Sequence, residues 1–208
     1  AAMAGYALAV YPFTGSNWII GTTVVAMLVP STATALPLFY AFSAFTAAIP
    51  QITILNTPLA FILPASLNPF GVYLVYLFFK KQFPLELLEA ARMDGAGHFT
   101  IFLRIALPSM AGLLATVGIL TFVSSWNNFF LPWLMVSDQN LQPVPIGLAT
   151  WAASQSSLVV GGSTGGGQSI TLADLITGGA LAVVPVAIIF TLLRRFWVQG
   201  FLDGGVKG

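Results

Sequence analysis

Residues 80–108 read KKQFPLELLEAARMDGAGHFTIFLRIALP, and the rest of the chain is read around them. The stretch holds Lys80, Lys81, Glu86, Glu89, Arg92, Asp94 and Arg104, seven of the thirteen charged residues, and the single histidine, His98. Residues 1–79 carry no charged side chain. A polar island between long apolar segments belongs outside a bilayer's hydrocarbon core, where each central charge costs at least about 2.5–3.5 kcal/mol. Pro84 suits the first turn of a helix and Gly95 its end. On that helix Pro84, Leu87, Leu88 and Ala91 share a face with Leu85 at its edge, while Glu86, Glu89 and Met93 lie opposite. Glu89 and Arg92, three residues apart, are placed to pair. Ala90, Ala91 and Ala96, with Gly95 and Gly97, leave a small-residue patch open to close approach. A second short helix is expected from Phe99 to Ala106, closed by Leu107 and Pro108. Helical pattern alone reads equally as two amphipathic helices lying on a membrane surface and as a docking element.

Composition decides the class. Only 6% of the 208 residues are charged and 57% are apolar, with a mean hydropathy of +0.91. Soluble domains average about 25% charged residues, so the chain is expected to be an all-α integral membrane protein. The absence of cysteine excludes disulfides, thiolate metal sites and cysteine nucleophiles, and leaves the redox compartment open. With one histidine as well, no structural metal site is expected.

Apolar runs and breakers give the expected layout, a single domain over residues 1–208. Residues 1–10 are apolar but rise only about 15 Å, and are read as the tail of a span whose start precedes Ala1. Without a basic flank they are not a signal peptide. Residues 11–17 form a turn. Spans are expected at 18–42 (kinked by Pro30 and Pro37), 59–79 (broken by Pro64 and Pro69), 109–136 and 171–196 (carrying Pro185). Residues 43–58 are expected as a loop, and 137–170 as a polar, Gly-rich excursion. Every Lys and Arg lies either in the island or at the C-terminal end, as Arg194, Arg195 and Lys207. Two spans separate these sites, so they share one side, the cytoplasmic side by the positive-inside bias. The 11–17 turn should share that side yet has no cation.

The island resembles the cytoplasmic EAA loop of permease subunits of binding-protein-dependent ABC importers. The pattern is EAA, a glycine after three further residues, then Ile-x-Leu-Pro. Here it falls on Glu89-Ala90-Ala91, Gly95 and Ile105-Ala106-Leu107-Pro108. SWNNFFLPWLMVSD (125–138), PIGL (145–148) and the ending RRFWVQGFLDGGVKG are similar to the maltose-type carbohydrate branch. The similarity covers essentially the whole chain, with N-terminal residues of the family lacking. Departures are the charge-free 11–17 turn and the Gly-rich insert 161–167.

The resemblance implies a polytopic bundle of kinked helices in a prokaryotic inner membrane. Its cytoplasmic loop 80–108 would carry a coupling helix seated in an ATP-hydrolysing subunit. Glu89, Ala90, Ala91, Asp94, Gly95, Leu107 and Pro108 are the implied coupling residues, and the tail 199–208 is a further implied contact with the same partner. It further implies a second permease subunit, a pair of ATP-binding subunits and an extracytoplasmic solute-binding protein. ATP and magnesium would then sit on the partner, with no cofactor on this chain and no nucleic-acid partner. The implied cargo is a carbohydrate or related solute. Rival readings are the same family serving glycerol phosphate or a polyamine, an ion-coupled secondary transporter, and a membrane assembly factor that uses the island to dock. No Lys or Arg falls within an expected span, which favours a neutral solute, and ion-coupled carriers place ionisable groups at mid-membrane.

Other motifs carry less. GSTGGGQS (162–169) differs from a phosphate loop by Gln168 in place of lysine and is expected to be a flexible external loop. His98 and Asp138 are read as structural or loop residues, and Asp174 as capping or flanking a helix end. Trp126, Asn127 and Asn128 have two readings: sugar contacts along the pathway, or amides joining helices beside interface aromatics. Tyr40, with Phe39, is open in the same way. No constellation suggests catalysis, so no enzymatic activity is expected.

Overall fold

The computed structural model describes residues 1–11, 13–160 and 171–204, with side chains described as far as Ala153 and from Thr171 to Arg194. The insert 161–167, the phosphate-loop-like 162–169, Lys207 and the side chains of Arg195 and Asp203 lie outside the described residues. Among the described residues there is no strand. The helices are α1 Ala2–Val10, α2 Ser16–Leu28, α3 Ser31–Ala48, α4 Leu59–Ser66, α5 Pro69–Lys81 and α6 Glu86–Met93. They continue as α7 His98–Ile101, a π-helical turn Phe102–Ala106, α8 Leu107–Ser109, α9 Ala111–Trp126 and α10 Phe130–Met135. A 3-10 turn Gln139–Leu141, α11 Val144–Val160 and α12 Leu172–Gly204 complete the order.

Several expected single helices are broken, each for a local reason. The helix expected over 18–42 is two, because Val29 is extended (φ −76°, ψ 121°), as the Pro30 ring demands of the residue before it. Pro37, by contrast, is accommodated inside α3. The helix expected over 109–136 ends at Trp126 and restarts at Phe130. There Asn127 Nδ2 donates to the Val123 carbonyl and Asn128 Oδ1 accepts from the Leu131 amide, 3.4 Å away. The polar, Gly-rich 137–170 excursion contains α11, and α3 reaches into the expected 43–58 loop. Leu59–Lys81 and Leu172–Arg194 are each long and apolar enough to cross a bilayer. Two further helix pairs pass that test jointly, Ser16–Leu28 with Ser31–Ala48 and His98–Ser109 with Ala111–Trp126, the latter bent by 75°.

The chain forms two compact units, residues 1–30, 67–121 and 192–208 in one and 31–66 with 122–191 in the other. In the first, α1 lies against α5 at very close range. A Cβ on Gly5 would stand 2.5 Å from the Val72 carbonyl oxygen and 2.7 Å from Val75 Cβ. Lipid offers helices no hydrophobic drive to associate, so such contacts between small residues supply the packing. Gly71 brings α9 in similarly, its missing Cβ leaving room for Val117 Cγ1. Asn68 caps α5, accepting from the Gly71 amide at 2.9 Å and donating to Thr121 Oγ1 at 2.5 Å. Tyr6, Ala9, Val75, Phe79, Phe83, Leu88, Ile101, Phe102, Ala106 and Met110 are the buried core of this unit.

In the second unit, Ile54, Ala60, Met135 and Val136 are buried among side chains of α3, α4 and α10. Asn56 locks that core from a left-handed conformation (φ 58°). Its amide donates to the Met135 carbonyl, and its Oδ1 accepts from the amides of Ser137 and Asp138. At the start of α12, Thr171 and Asp174 form a reciprocal capping box, Thr171 N–H and Oγ1 donating to Asp174 Oδ2 and the Asp174 amide bonding back to Thr171 Oγ1.

The α1–α5 contact can be tested directly. Gly5→Ala is expected to lower the unfolding midpoint in detergent by the equivalent of about 1–3 kcal/mol through overpacking. Gly21→Ala, whose added Cβ meets nothing within 4 Å, should be neutral or stabilise by up to about 1 kcal/mol. Equal midpoints for the two variants would contradict this packing.

Candidate functional site

The island is a two-part elbow keyed into the first unit. α5 ends on Lys80 and Lys81, cations in the last turn where the helix dipole favours them. The Gln82 and Phe83 amides both return to the Phe78 carbonyl, which tightens the exit and turns Phe83 into the core. Leu87 N–H donates to the Pro84 carbonyl, and the amides of Leu88 and Glu89 donate to that of Leu85, so the turn beginning at Pro84 leads into α6. Glu86 and Glu89 occupy its first turn and Arg92 its last, again the arrangement the dipole favours.

One side of α6 is anchored. Leu88 is 1% exposed, and Ala91 packs half-buried against the same core. The inner face is narrower than the helical wheel suggests, since Pro84, Leu85 and Leu87 are exposed. Only Leu88 and Ala91, the two that join the Phe79–Phe83 cluster, are covered. Glu89, Ala90, Asp94, Gly95 and Pro108 are exposed, whereas Ala91 and Leu107 face the core. Met93, 89% exposed, and Phe99, 64% exposed, add large apolar side chains to the outer surface.

Gly95 ends α6 in a Schellman motif. Its φ is +80°, its amide donates to the Arg92 carbonyl and the Ala96 amide to the Ala91 carbonyl, both at 3.0 Å. These are the 5→2 and 6→1 bonds of that cap, and Ala91 and Ala96, the two apolar positions that flank it, both pack against the core. Any residue with a Cβ is strained at this φ. The turn delivers His98 to the start of α7, which runs on through a π-helical turn and α8 to Ser109. This run is longer than the expected 99–106 helix, for Pro108 lies inside it instead of ending it. Pro108 has no N–H to give its turn. Around it the ladder shifts to an i→i−5 bond from Leu107 N–H to the Phe102 carbonyl, and Ser109 Oγ donates to the Ile105 carbonyl at 2.6 Å.

Arg92 does not pair with Glu89. Its guanidinium carbon lies 5.1 Å from the centroid of the Tyr11 ring, a cation–π distance. The Tyr11 hydroxyl is in turn 2.7 Å from His98 Nδ1. Sequence reading left Tyr11 as a turn residue, because nothing in an uncharged turn signals a partner 87 positions away.

The residues considered for a solute pathway are mostly occupied. Trp126 Nε1 donates to the Ala182 carbonyl at 3.1 Å, and its ring stacks on Phe122. Ala182 lies in the turn before Pro185, where a proline ring loosens the helical ladder and frees carbonyls. Asn127 and Asn128 bond to their own chain, as described above. Tyr40 is 68% exposed, in edge contact with Phe39.

Replacing Gly95 by Ala is expected to cost about 1–2 kcal/mol locally. Amide exchange at position 95 and at Ala96 should then accelerate, while Gly97→Ala, at an ordinary φ of −68°, leaves it near wild type. Trp126→Phe keeps the stack but removes the indole donor. It should lower stability by about 0.6–2 kcal/mol, read as a fall in the detergent unfolding midpoint; no change would mean that the Ala182 carbonyl has another donor.

Comparison with known proteins agrees with this geometry. Residues 1–207 match the family described as the binding-protein-dependent transport system inner membrane component. The arabinooligosaccharides transport system permease protein AraQ of Halalkalibacterium halodurans is 35% identical over 99% of this chain and 66% of its own length. The trehalose transport system permease protein SugB of Mycobacterium tuberculosis is 30% identical over 100% of this chain and 69% of its own. A solved bacterial ABC transporter involved in the import of the acidic polysaccharide alginate shares the fold. Its TM-score is 0.70 at 18% identity, over 93% of this chain and 66% of that one. The chain thus spans 66% of the length of the AraQ protein it matches. With an all-helical architecture, a keyed charged elbow and a family match over nearly its full length, the chain belongs to the inner membrane components of binding-protein-dependent transport systems.

Proposed function

We propose that this chain forms half of the membrane pathway of an ATP-driven importer for a carbohydrate or related solute, and that residues 80–108 seat in a separate ATP-hydrolysing subunit. The observation that carries the reading is the two-sided nature of α6. Leu88 fixes one side in the core, while Glu89, Ala90, Met93, Asp94 and Gly95 stand exposed on the other. A helix anchored on one side and bare on the other can pass a push from a partner into the unit beneath it. Ala90 and Gly95 permit close approach, Glu89 and Asp94 orient the partner by charge, and Met93 offers apolar area to bury. The elbow and the C-terminal cations lie on the cytoplasmic side in this reading. ATP and magnesium belong to the partner, a second permease completes the pathway, and an extracytoplasmic binding protein delivers the solute. The oligosaccharide and disaccharide cargoes named for the relatives support a carbohydrate here.

The test uses the complete transporter in proteoliposomes loaded with ATP. Met93→Asp puts a charge where a methionine would be buried, forfeiting about 1.5–3 kcal/mol of apolar contact. Uptake and solute-stimulated ATP hydrolysis are expected to fall together, by about tenfold or more. Uptake that persists without ATP and collapses with the ion gradient would overturn the proposal.

A further inference from the structure

We infer that Tyr11 is a positioning residue that pins the elbow to the end of α1, so that movement of the elbow reaches α1 as well as α5 and α9. The inference rests on the coupling role proposed above. α5 and α9 adjoin the elbow along the chain, and any displacement of residues 80–108 pulls on both through covalent backbone. α1 has no such link, since nearly seventy residues separate Tyr11 from Lys80, and it must be reached through side-chain contacts.

Besides the apolar burial of Tyr6 and Ala9 in the shared core, two contacts reach α1. Gly5 packs it on α5 along the helix. At its end, Tyr11 touches both halves of the elbow at once. Its hydroxyl is 2.7 Å from Nδ1 of His98, the first residue of α7. Its ring lies under Arg92 in the last turn of α6 and meets the His98 ring edge-on at 4.9 Å. Behind it, Tyr6 stands edge-on at 5.9 Å and is itself buried against Phe79 and Phe102. The Schellman turn at Gly95 presents Arg92 and His98 together to one phenol. Without the pin, α6 and α7 would hold α1 through apolar contact alone, which is non-directional and allows sliding. The hydrogen bond sets a direction, with the phenol donating whenever Nδ1 is unprotonated. A Glu89–Arg92 pair would have tied α6 only to itself, whereas Arg92 over Tyr11 ties it to another helix.

The experiment measures solute taken up per ATP hydrolysed by the complete transporter in proteoliposomes, with Met93→Asp alongside as the test of docking. Tyr11→Phe keeps the ring, the Arg92 contact and the Tyr6 edge but removes the hydroxyl. The uptake-to-hydrolysis ratio is expected to fall about two- to tenfold, the range one net hydrogen bond spans. Tyr11→Ala should lower it further. His98→Leu should reproduce Tyr11→Phe, whereas His98→Asn, which keeps a polar partner near the Nδ1 position, should restore most of the ratio. Because the ratio is independent of how much complex assembles, a merely structural role would lower uptake and hydrolysis together and leave the ratio intact. An unchanged ratio in Tyr11→Phe while Met93→Asp abolishes coupled hydrolysis would overturn the pin alone. Met93→Asp without effect would overturn the docking role and the pin with it.

Discussion

The structure depends on one aromatic junction. Tyr6 of α1, Phe79 of α5 and Phe102 of the elbow meet with ring centroids 5.1–5.2 Å apart around the Tyr6 ring, and Phe83 closes on Phe79 at 5.0 Å. Edge-on and tilted rings at these separations contribute about 0.5–1.5 kcal/mol per pair beyond the area they bury. Leu88 enters the same cluster, so the outer helix of the elbow is held by the residues that hold α1 to α5. In a polar segment the charged side chains do little of this anchoring. Its charged side chains prefer water, and surface ion pairs add little. Rings and one leucine fix one side of a solvated loop to the core beneath it.

Proline sets the second constraint. Thirteen prolines in 208 residues would break many soluble helices, and in an apolar setting each missing N–H leaves a carbonyl that must find another donor. The chain places its prolines in different ways. Pro30 is placed after an extended residue that ends α2, and Pro69 occupies the first turn of α5, where no N–H is required. Pro108 lies just after a π-helical turn, and the hydroxyl of Ser109 beside it bonds back to the Ile105 carbonyl. Near Pro185, Trp126 of α9 supplies an indole N–H to the loosened turn of α12, so that a weak point in one helix becomes a tie to another.

The class and the position of the polar elbow were legible without coordinates. Low charge, an island of polar residues and prolines between apolar runs are properties of composition and order, and membrane solvation acts on them segment by segment. The same holds for Gly95, because a helix end that needs a positive φ selects glycine locally. The capping role of Asp174 was equally within reach, since Thr171 lies three residues before it.

What the sequence left undecided is what depends on residues far apart in the chain. The wheel placed Leu87 and Leu88 on one inner face, yet only Leu88 is covered, because the position of Phe79 and Phe83 and not periodicity decides which is buried. Arg92 had a plausible partner three residues away in Glu89, but the ring that claims it sits 81 positions earlier. That the Trp126 indole bonds to the Ala182 carbonyl, 56 positions on, could not be read from the sequence. By itself the sequence determined the solvent each segment prefers and the turns its glycines and prolines enforce, for those are one-body and nearest-neighbour energies. Only the tertiary structure decided which side chains meet, since pair contacts between distant segments depend on how the helices are brought together.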